Sequence, residues 1–296
     1  MNILKGKKVA VIGGDTRQVE LINGLISSGA NVVCFATPQE GLKNSVELAT
    51  SLDEALSRID ALILPITGTE ADGTLRFTTP DVKLTEDILR KLSPGTPIFI
   101  GSVVPVLAEI CEKLNLPVTE MAKDDELNIL NSIPSAEGAV ELAMSMTPFT
   151  IHHSNSAVLG FGRTASTLSR MLKGIGANVT VVARKSSDRA RAFEMGFKAL
   201  SFKSFDSEIS SFDIIFNTVP SRVLDREHIK MMKPFSYIVD LATPPGGVDF
   251  EAAKEFGITA ELALGLPGKV APFTAGKILA RIIPKRVAAA LKKPKS

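Results

Sequence analysis

Ten residues constrain this chain more than any others: Ser156-Ala-Val-Leu-Gly-Phe-Gly-Arg-Thr-Ala165. An apolar run ends in Gly160-x-Gly162-x-x-Ala165, and helical spacing follows from Thr164 to Ile175. The first glycine allows a tight turn. The second lets a pyrophosphate approach the backbone, and the small third residue lets helix pack on strand. The pyrophosphate would sit on the free N–H groups of the helix N-terminus. Gly160, Phe161, Gly162, Arg163 and Thr164 are therefore candidate dinucleotide-binding residues. A turn of this kind needs a parallel sheet around it, and the rest of the chain supplies the pattern. Short apolar runs at Lys8–Gly13, Asn31–Ala36, Ala61–Pro65, Ile98–Gly101, Asn178–Ala183, Asp213–Asn217, Tyr237–Leu241 and Ile258–Leu262 alternate with helical segments. This predicts an α/β protein of two doubly wound parallel-sheet domains, the second a Rossmann dinucleotide-binding domain.

The end of the strand after the glycine turn selects the dinucleotide. NAD sites place an acid there for the ribose 2′-hydroxyl. Here the strand runs into Arg184-Lys185-Ser186. Two cations and a hydroxyl suit a 2′-phosphate, so NADP(H) is the expected cofactor, with NAD the alternative. Two further strand ends would border the same cofactor: Asn217-Thr218-Val219-Pro220, and Asp240-Leu-Ala-Thr-Pro-Pro-Gly-Gly247 with Leu241, Ala242 and Thr243. Read without function, both are strand-end turns.

The first half ends its first strand in Gly13-Gly14-Asp15-Thr16-Arg17. This is not a second dinucleotide motif. Asp15 or Thr16 would cap the following helix, and exposed N–H groups with Arg17 would suit a carboxylate. Asn131-Ser-Ile-Pro-Ser-Ala-Glu-Gly138 reads as a second helix start, capped by Ser135 with Glu137 in its first turn, facing an interdomain cleft. Ser102 and the long loop after the third strand, with Thr67, Thr69 and Arg76, complete the substrate-side candidates. None of His152, His153 and His228 is placed as a catalytic base, and no catalytic residue emerges.

The expected boundaries are 1–133 for an N-terminal substrate domain completed by a C-terminal helix at about 270–290, 134–150 for a connecting helix and linker, and 151–269 for the cofactor domain. Lys285, Arg286, Lys292, Lys293 and Lys295 fall in the last twelve residues without an acid. Residues 285–296 therefore read as a solvated basic tail. The net charge of +2 depends on that tail, so no basic face argues for nucleic acid. Cys34 and Cys111 lack metal-ligand spacing and read as buried thiols; no metal is expected. The N-terminus does not read as a signal peptide, and no run reaches a membrane span, so a cytoplasmic protein is expected.

Six segments, in order and spread along the chain, resemble the A subunit family of dipicolinate synthase: Val11-Ile-Gly-Gly-Asp-Thr-Arg-Gln18, Asn131–Ala139, Gly160–Thr164, Asn217–Pro220, Asp240–Gly247 and Leu266-Pro-Gly-Lys-Val-Ala-Pro272. The resemblance implies NADP-dependent oxidation of a dihydrodipicolinate-type intermediate of the lysine/diaminopimelate pathway to pyridine-2,6-dicarboxylate, in the mother cell during sporulation. It implies a flavoprotein-like partner (the B subunit) and a small cyclic dicarboxylate as substrate, and a homo-oligomer is expected. Two alternatives stay open: another NADP-dependent dehydrogenase of alanine- or shikimate-dehydrogenase build, and a non-catalytic cofactor-binding subunit of a two-subunit complex.

Overall fold

The computed structural model describes residues 2–76 and 78–292. The chain divides into two compact units, one running to Leu130 and resuming at Ala271, the other Asn131–Val270.

The first unit is built on β1 (Lys8–Ile12), β2 (Asn31–Phe35), β3 (Glu47–Leu48), β4 (Ala61–Ile63), β5 (Ile98–Ile100) and β6 (Val118–Glu120), in the order β3-β2-β1-β4-β5-β6. Every pairing is parallel; Val9, for example, lies opposite both Val32 and Ala61. The central strands are continuous apolar runs because helices cover both faces. These are α1 (Arg17–Ser27), α2 (Leu52–Ala55), α3 (Glu86–Leu89) and α4 (Pro105–Lys113), followed by the start of α5 (Asp125–Met146). One face buries Val9, Val11 and Phe99 against Leu21, Leu25 and Leu279. The other buries Ala10, Ile12 and Leu62 against Leu56, Leu89 and Leu107.

In the second unit follow β7 (Asn155–Leu159), α6 (Arg163–Gly174), β8 (Asn178–Val182), α7 (Ser186–Glu194), β9 (Lys198–Leu200), α8 (Phe202–Asp206), β10 (Ile214–Asn217), α9 (Arg226–Met231), β11 (Tyr237–Asp240), α10 (Phe250–Glu255), β12 (Thr259–Leu262) and α11 (Leu266–Val270). The sheet order is β12-β11-β10-β7-β8-β9, again all parallel. Both sheets thus have the strand order of a dinucleotide fold, although only the second carries the glycine motif.

α12 (Pro272–Lys292) returns to the first unit and packs on α1. Two glycines set how closely. A Cβ on Gly24 would lie 2.6 Å from the Ala280 Cβ, and one on Gly276 would lie 2.7 Å from the Arg17 carbonyl.

Two expectations are corrected here. The helix expected from Ser135 begins ten residues earlier, at Asp125, and carries Pro134 in its interior. Pro134 has no N–H for the Leu130 carbonyl. The Ser135 hydroxyl donates to the Asn131 carbonyl at 2.9 Å, so Ser135 caps nothing. The true cap is Asp124, whose Oδ1 accepts from the Leu127 N–H at 3.0 Å. Nor are residues 285–292 a solvated tail. α12 continues through Pro284 to Lys292, Val287 is buried, and Arg286 is paired with Asp124 and Glu126 at 2.6 and 3.0 Å.

That pair has a pH signature. The Arg286 guanidinium, then the Leu127 N–H, hold the Asp124 carboxyl below its ordinary value. A carboxyl with a depressed folded pKa contributes stability above its unfolded pKa and loses it as pH falls through the folded one. D124N keeps a capping acceptor but loses the charge. It should be less stable than the parent by up to about 1 kcal/mol at pH 6. Urea denaturation across pH should show the difference shrinking as pH falls below the ordinary carboxyl value and vanishing once it has passed the depressed folded one.

Candidate functional site

β7 ends at the point where the second sheet's order reverses, with β8 on one side and β10 on the other. Open α/β sheets bind ligands at such points. Gly160 takes φ +96°, and a Cβ there would lie 2.5 Å from the Thr218 Oγ1, so this position excludes other residues on both conformation and space. Gly162 differs. It is the residue before α6 with an ordinary φ of −82°, and a Cβ built on it meets nothing within 4 Å. What a side chain at 162 would fill is open space in front of a helix whose first-turn N–H groups have no intrahelical acceptor and no side-chain cap. Ala165, the third motif position, is wholly buried under the helix. The residues thus fit a pyrophosphate. Phe161 and Thr164 are half-buried and Arg163 is exposed at this helix start.

Past β8, Arg184, Lys185 and Ser186 are exposed, and neither cation forms an ion pair among the described residues. Arg189, one turn into α7, donates to the carbonyls of Ala183 and Arg184 at 2.9 and 2.7 Å, which fixes the backbone below the two cations.

The strand ends of β10 and β11 are joined by a buried network that sequence reasoning missed. Asn217 and Asp240 are opposite each other in register, and both are wholly buried. The Asn217 Nδ2 donates to Asp240 Oδ1 at 2.8 Å and to the Val219 carbonyl at 3.0 Å, while its Oδ1 accepts from the Val219 N–H at 3.0 Å. Asp240 also accepts from the N–H groups of Ala242 at 3.0 Å and Gly247 at 2.8 Å. The Asn217 side chain is therefore corrected from a ligand contact to a brace for the loops that carry Thr218, Val219, Pro220, Leu241, Ala242 and Thr243. Of these, Pro220 and Thr243 are exposed and Ala242 is buried. The network leaves no room beside it: Cβ atoms on Gly246 and Gly247 would lie 2.7 Å from Asp240 Oδ2 and 2.3 Å from Asn217 Nδ2. Only the cross-strand register pairs these residues, and a sequence does not display register.

The substrate-side candidates separate. In the first unit the β1–α1 turn already holds an anion of its own. Asp15 takes the Arg17 guanidinium on two atoms, at 2.8 and 2.5 Å, and accepts from the Arg17 N–H at 3.1 Å. The N–H groups of Gln18 and Val19 go to the carbonyls of Asp15 and Thr16, and Thr16 makes no side-chain cap. The expected exposed carboxylate cradle is thus closed by Asp15, and Arg17 is buried against it. Arg76 is paired on the surface with Glu70 at 3.0 Å, and Ser102 is exposed at the end of β5. Asn131, Ser135 and Glu137 lie inside α5 in the second unit, which removes the helix N-terminus expected there. Glu137 instead lines an outward groove of about 750 Å³ with Val140, Glu141, Met144, Met171 and Ile175.

Comparison with known proteins places this geometry. Residues 8–122 match the model of the N-terminal domain of the dipicolinate synthase A subunit, and residues 135–246 match the NAD-binding domain of D-isomer-specific 2-hydroxyacid dehydrogenases. The dipicolinate synthase A subunit of Bacillus subtilis is 39% identical over 97% of both chains. The chain belongs to the dipicolinate synthase A-subunit family. A crystal structure of the family's member from Bacillus halodurans superposes with a TM-score of 0.92 at 35% identity, covering 98% of this chain and 99% of that one. A transhydrogenase from Sinorhizobium meliloti, 16% identical, shares the fold at a TM-score of 0.68 over 95% of this chain and 93% of its own. The second unit is accordingly a nicotinamide-dinucleotide-binding dehydrogenase domain. A family named for its A subunit implies a partner chain in the complex. Among the described residues no helix is long and apolar enough to cross a membrane.

Proposed function

We propose that this chain is the NADP-dependent oxidoreductase subunit of a dipicolinate synthase, converting a dihydrodipicolinate-type cyclic dicarboxylate to pyridine-2,6-dicarboxylate during sporulation. The observation that carries the cofactor half is the open space at Gly162 together with Arg184 and Lys185, which form no ion pair among the described residues, where an NAD enzyme has an acid. When bound, the dinucleotide supplies a two-electron hydride acceptor. The substrate gives up one hydride and one proton, and its ring becomes aromatic. That drive reduces what the protein must add to positioning. The chain's own contribution is to seat the pyrophosphate on the α6 N-terminus, to hold the 2′-phosphate, and to lock the bordering loops through Asn217 and Asp240. Cofactor residues fall in 151–269 and substrate residues in 1–133. The chain acts with a flavoprotein-like B subunit, forms a homo-oligomer, and works in the mother-cell cytoplasm.

Two measurements test this. Purified chain with the freshly generated cyclic dicarboxylate should reduce NADP⁺, read at 340 nm, and form pyridine-2,6-dicarboxylate without added B subunit. Activity only with the partner present would favour the non-catalytic, cofactor-binding role instead. For cofactor choice, the double variant R184E/K185E should lose NADP⁺ affinity at least tenfold, about 1.4 kcal/mol, while NAD⁺ affinity changes little. Equal loss of both would assign the two cations no part in selection.

A further inference from the structure

The outward groove of the second unit takes no part in the cofactor site. It lies between α5 and α6 and encloses about 750 Å³. Val140, Met144, Met171 and Ile175 line it, with Met144 55% and Ile175 37% exposed. A second hollow of about 320 Å³ shares Met144 and Ile175 and extends the apolar strip to Phe149. Single exposed apolar residues are ordinary, whereas a contiguous strip marks a docking surface. The two sides of the groove carry opposite charges. α5 presents Glu137 and Glu141, one turn apart and both exposed. α6 presents Arg170, the exposed neighbour of Met171. None of these three has an ion-pair partner among the described residues. Gly174 ends α6 within the same groove. It has no positive φ, and a Cβ on it meets nothing within 4 Å outside its own helix and chain neighbours. The helix is terminated by Gly176, at φ +90°. Glycine inside a helix is less stable than alanine, so the fold of one chain gives no reason for glycine at 174. A second backbone lying close against α6 gives one.

We infer that this groove is a dimer interface, occupied by a second copy of this chain whose α6 lies on α5 and whose α5 lies on α6. The inference names the face of the homo-oligomer proposed above and rests on that reading. Two-fold pairing is the commonest way for a chain to cover a patch with its own copy, since each copy then offers the same surface. A face made of two helices allows two such pairings. An axis across the helices sets α5 on α5. That brings Glu137 and Glu141 of both copies together over an apolar strip, with nothing to neutralise them. An axis along the groove sets α5 on α6 and places each Arg170 against the second copy's Glu137 and Glu141. Like charges beside a desolvated strip repel and opposite charges attract, so charge selects the second pairing. Methionine and arginine are also residue types that interface cores concentrate. Gly174 then lets the facing helix come close, as Gly24 and Gly276 do between α1 and α12.

Sedimentation equilibrium on the full chain tests this by charge exchange. The wild type should be a dimer at micromolar concentration. R170E sets a carboxylate against two others and should raise the dissociation constant by about tenfold or more. E137R/E141R sets three cations together and should do the same. The triple variant E137R/E141R/R170E restores opposite charges across the axis and should recover the wild-type constant to within about threefold. A contact between copies of one chain predicts that rescue, and a contact with a different partner does not. G174L fills the groove and should be monomeric while keeping the circular dichroism of the wild type. A monomeric wild type removes the homo-oligomer and this face together. A dimer that R170E and G174L leave intact overturns the face and lets the homo-oligomer stand. A triple variant as weak as R170E overturns the pairing of α5 on α6. Variants that stay dimeric but no longer bind the purified B subunit assign the groove to that partner, and they too overturn the inference.

Discussion

A valine at position 162 is expected to abolish dinucleotide binding while leaving the protein folded. A Cβ there meets nothing within 4 Å beyond its own chain neighbours, at a backbone angle of −82° that any residue adopts. The cost to the fold is that of a poor residue at a helix N-cap, about 1 kcal/mol. The cost to binding is larger. The pyrophosphate must approach this backbone to reach the α6 N–H groups, so a loss of about 100-fold in affinity or more, near 2.7 kcal/mol, is expected. Fluorescence titration with NADPH and a thermal melt on the same sample separate the two effects. G160A makes the useful contrast. With φ at +96° and Thr218 at 2.5 Å, alanine there should lower the melting midpoint itself.

The second large effect is expected at Asp240. D240A removes the acceptor of Asn217 Nδ2 and of the Ala242 and Gly247 N–H groups, all in a buried setting. Each buried donor left without a partner costs about 1–3 kcal/mol, and Asn217 retains its bond to the Val219 carbonyl. A net loss of roughly 3–5 kcal/mol follows, which is a large fraction of the stability of an ordinary domain. Urea denaturation of the variant measures it. Because the network holds two loops that border the dinucleotide site, the surviving folded protein should also bind NADPH more weakly. A loss under about 1 kcal/mol would mean that solvent replaces the carboxyl and that the network does not brace the loops.

The central strands are visible in the sequence because they are continuous apolar runs, the expected signature of a parallel sheet covered on both faces. The hidden strands are β3, β6 and β9, two or three residues each at sheet edges, where partial exposure erases the apolar signal. The start of α5 is hidden by Pro134, which reads locally as a helix beginning; tertiary packing of Ala136, Ala139 and Leu127 overrides it. The continuation of α12 is masked in the same way by Pro284 and by a run of cations. At the site, the glycine turn and the two cations after β8 are legible because their spacing is local. The Asn217–Asp240 brace is not, since it depends on which strands are neighbours. The Asp15–Arg17 pair is local as well, but residue types alone do not say whether an arginine faces a ligand or its own neighbour.

We propose that the second unit takes NADP(H) through the Gly162 space and the cations after β8. Titration calorimetry of the full wild-type chain with NADP⁺ and with NAD⁺ under one buffer tests it most directly. Saturable binding of both is expected, with NADP⁺ tighter by at least tenfold, about 1.4 kcal/mol. Equal affinities, or tighter binding of NAD⁺, would contradict it.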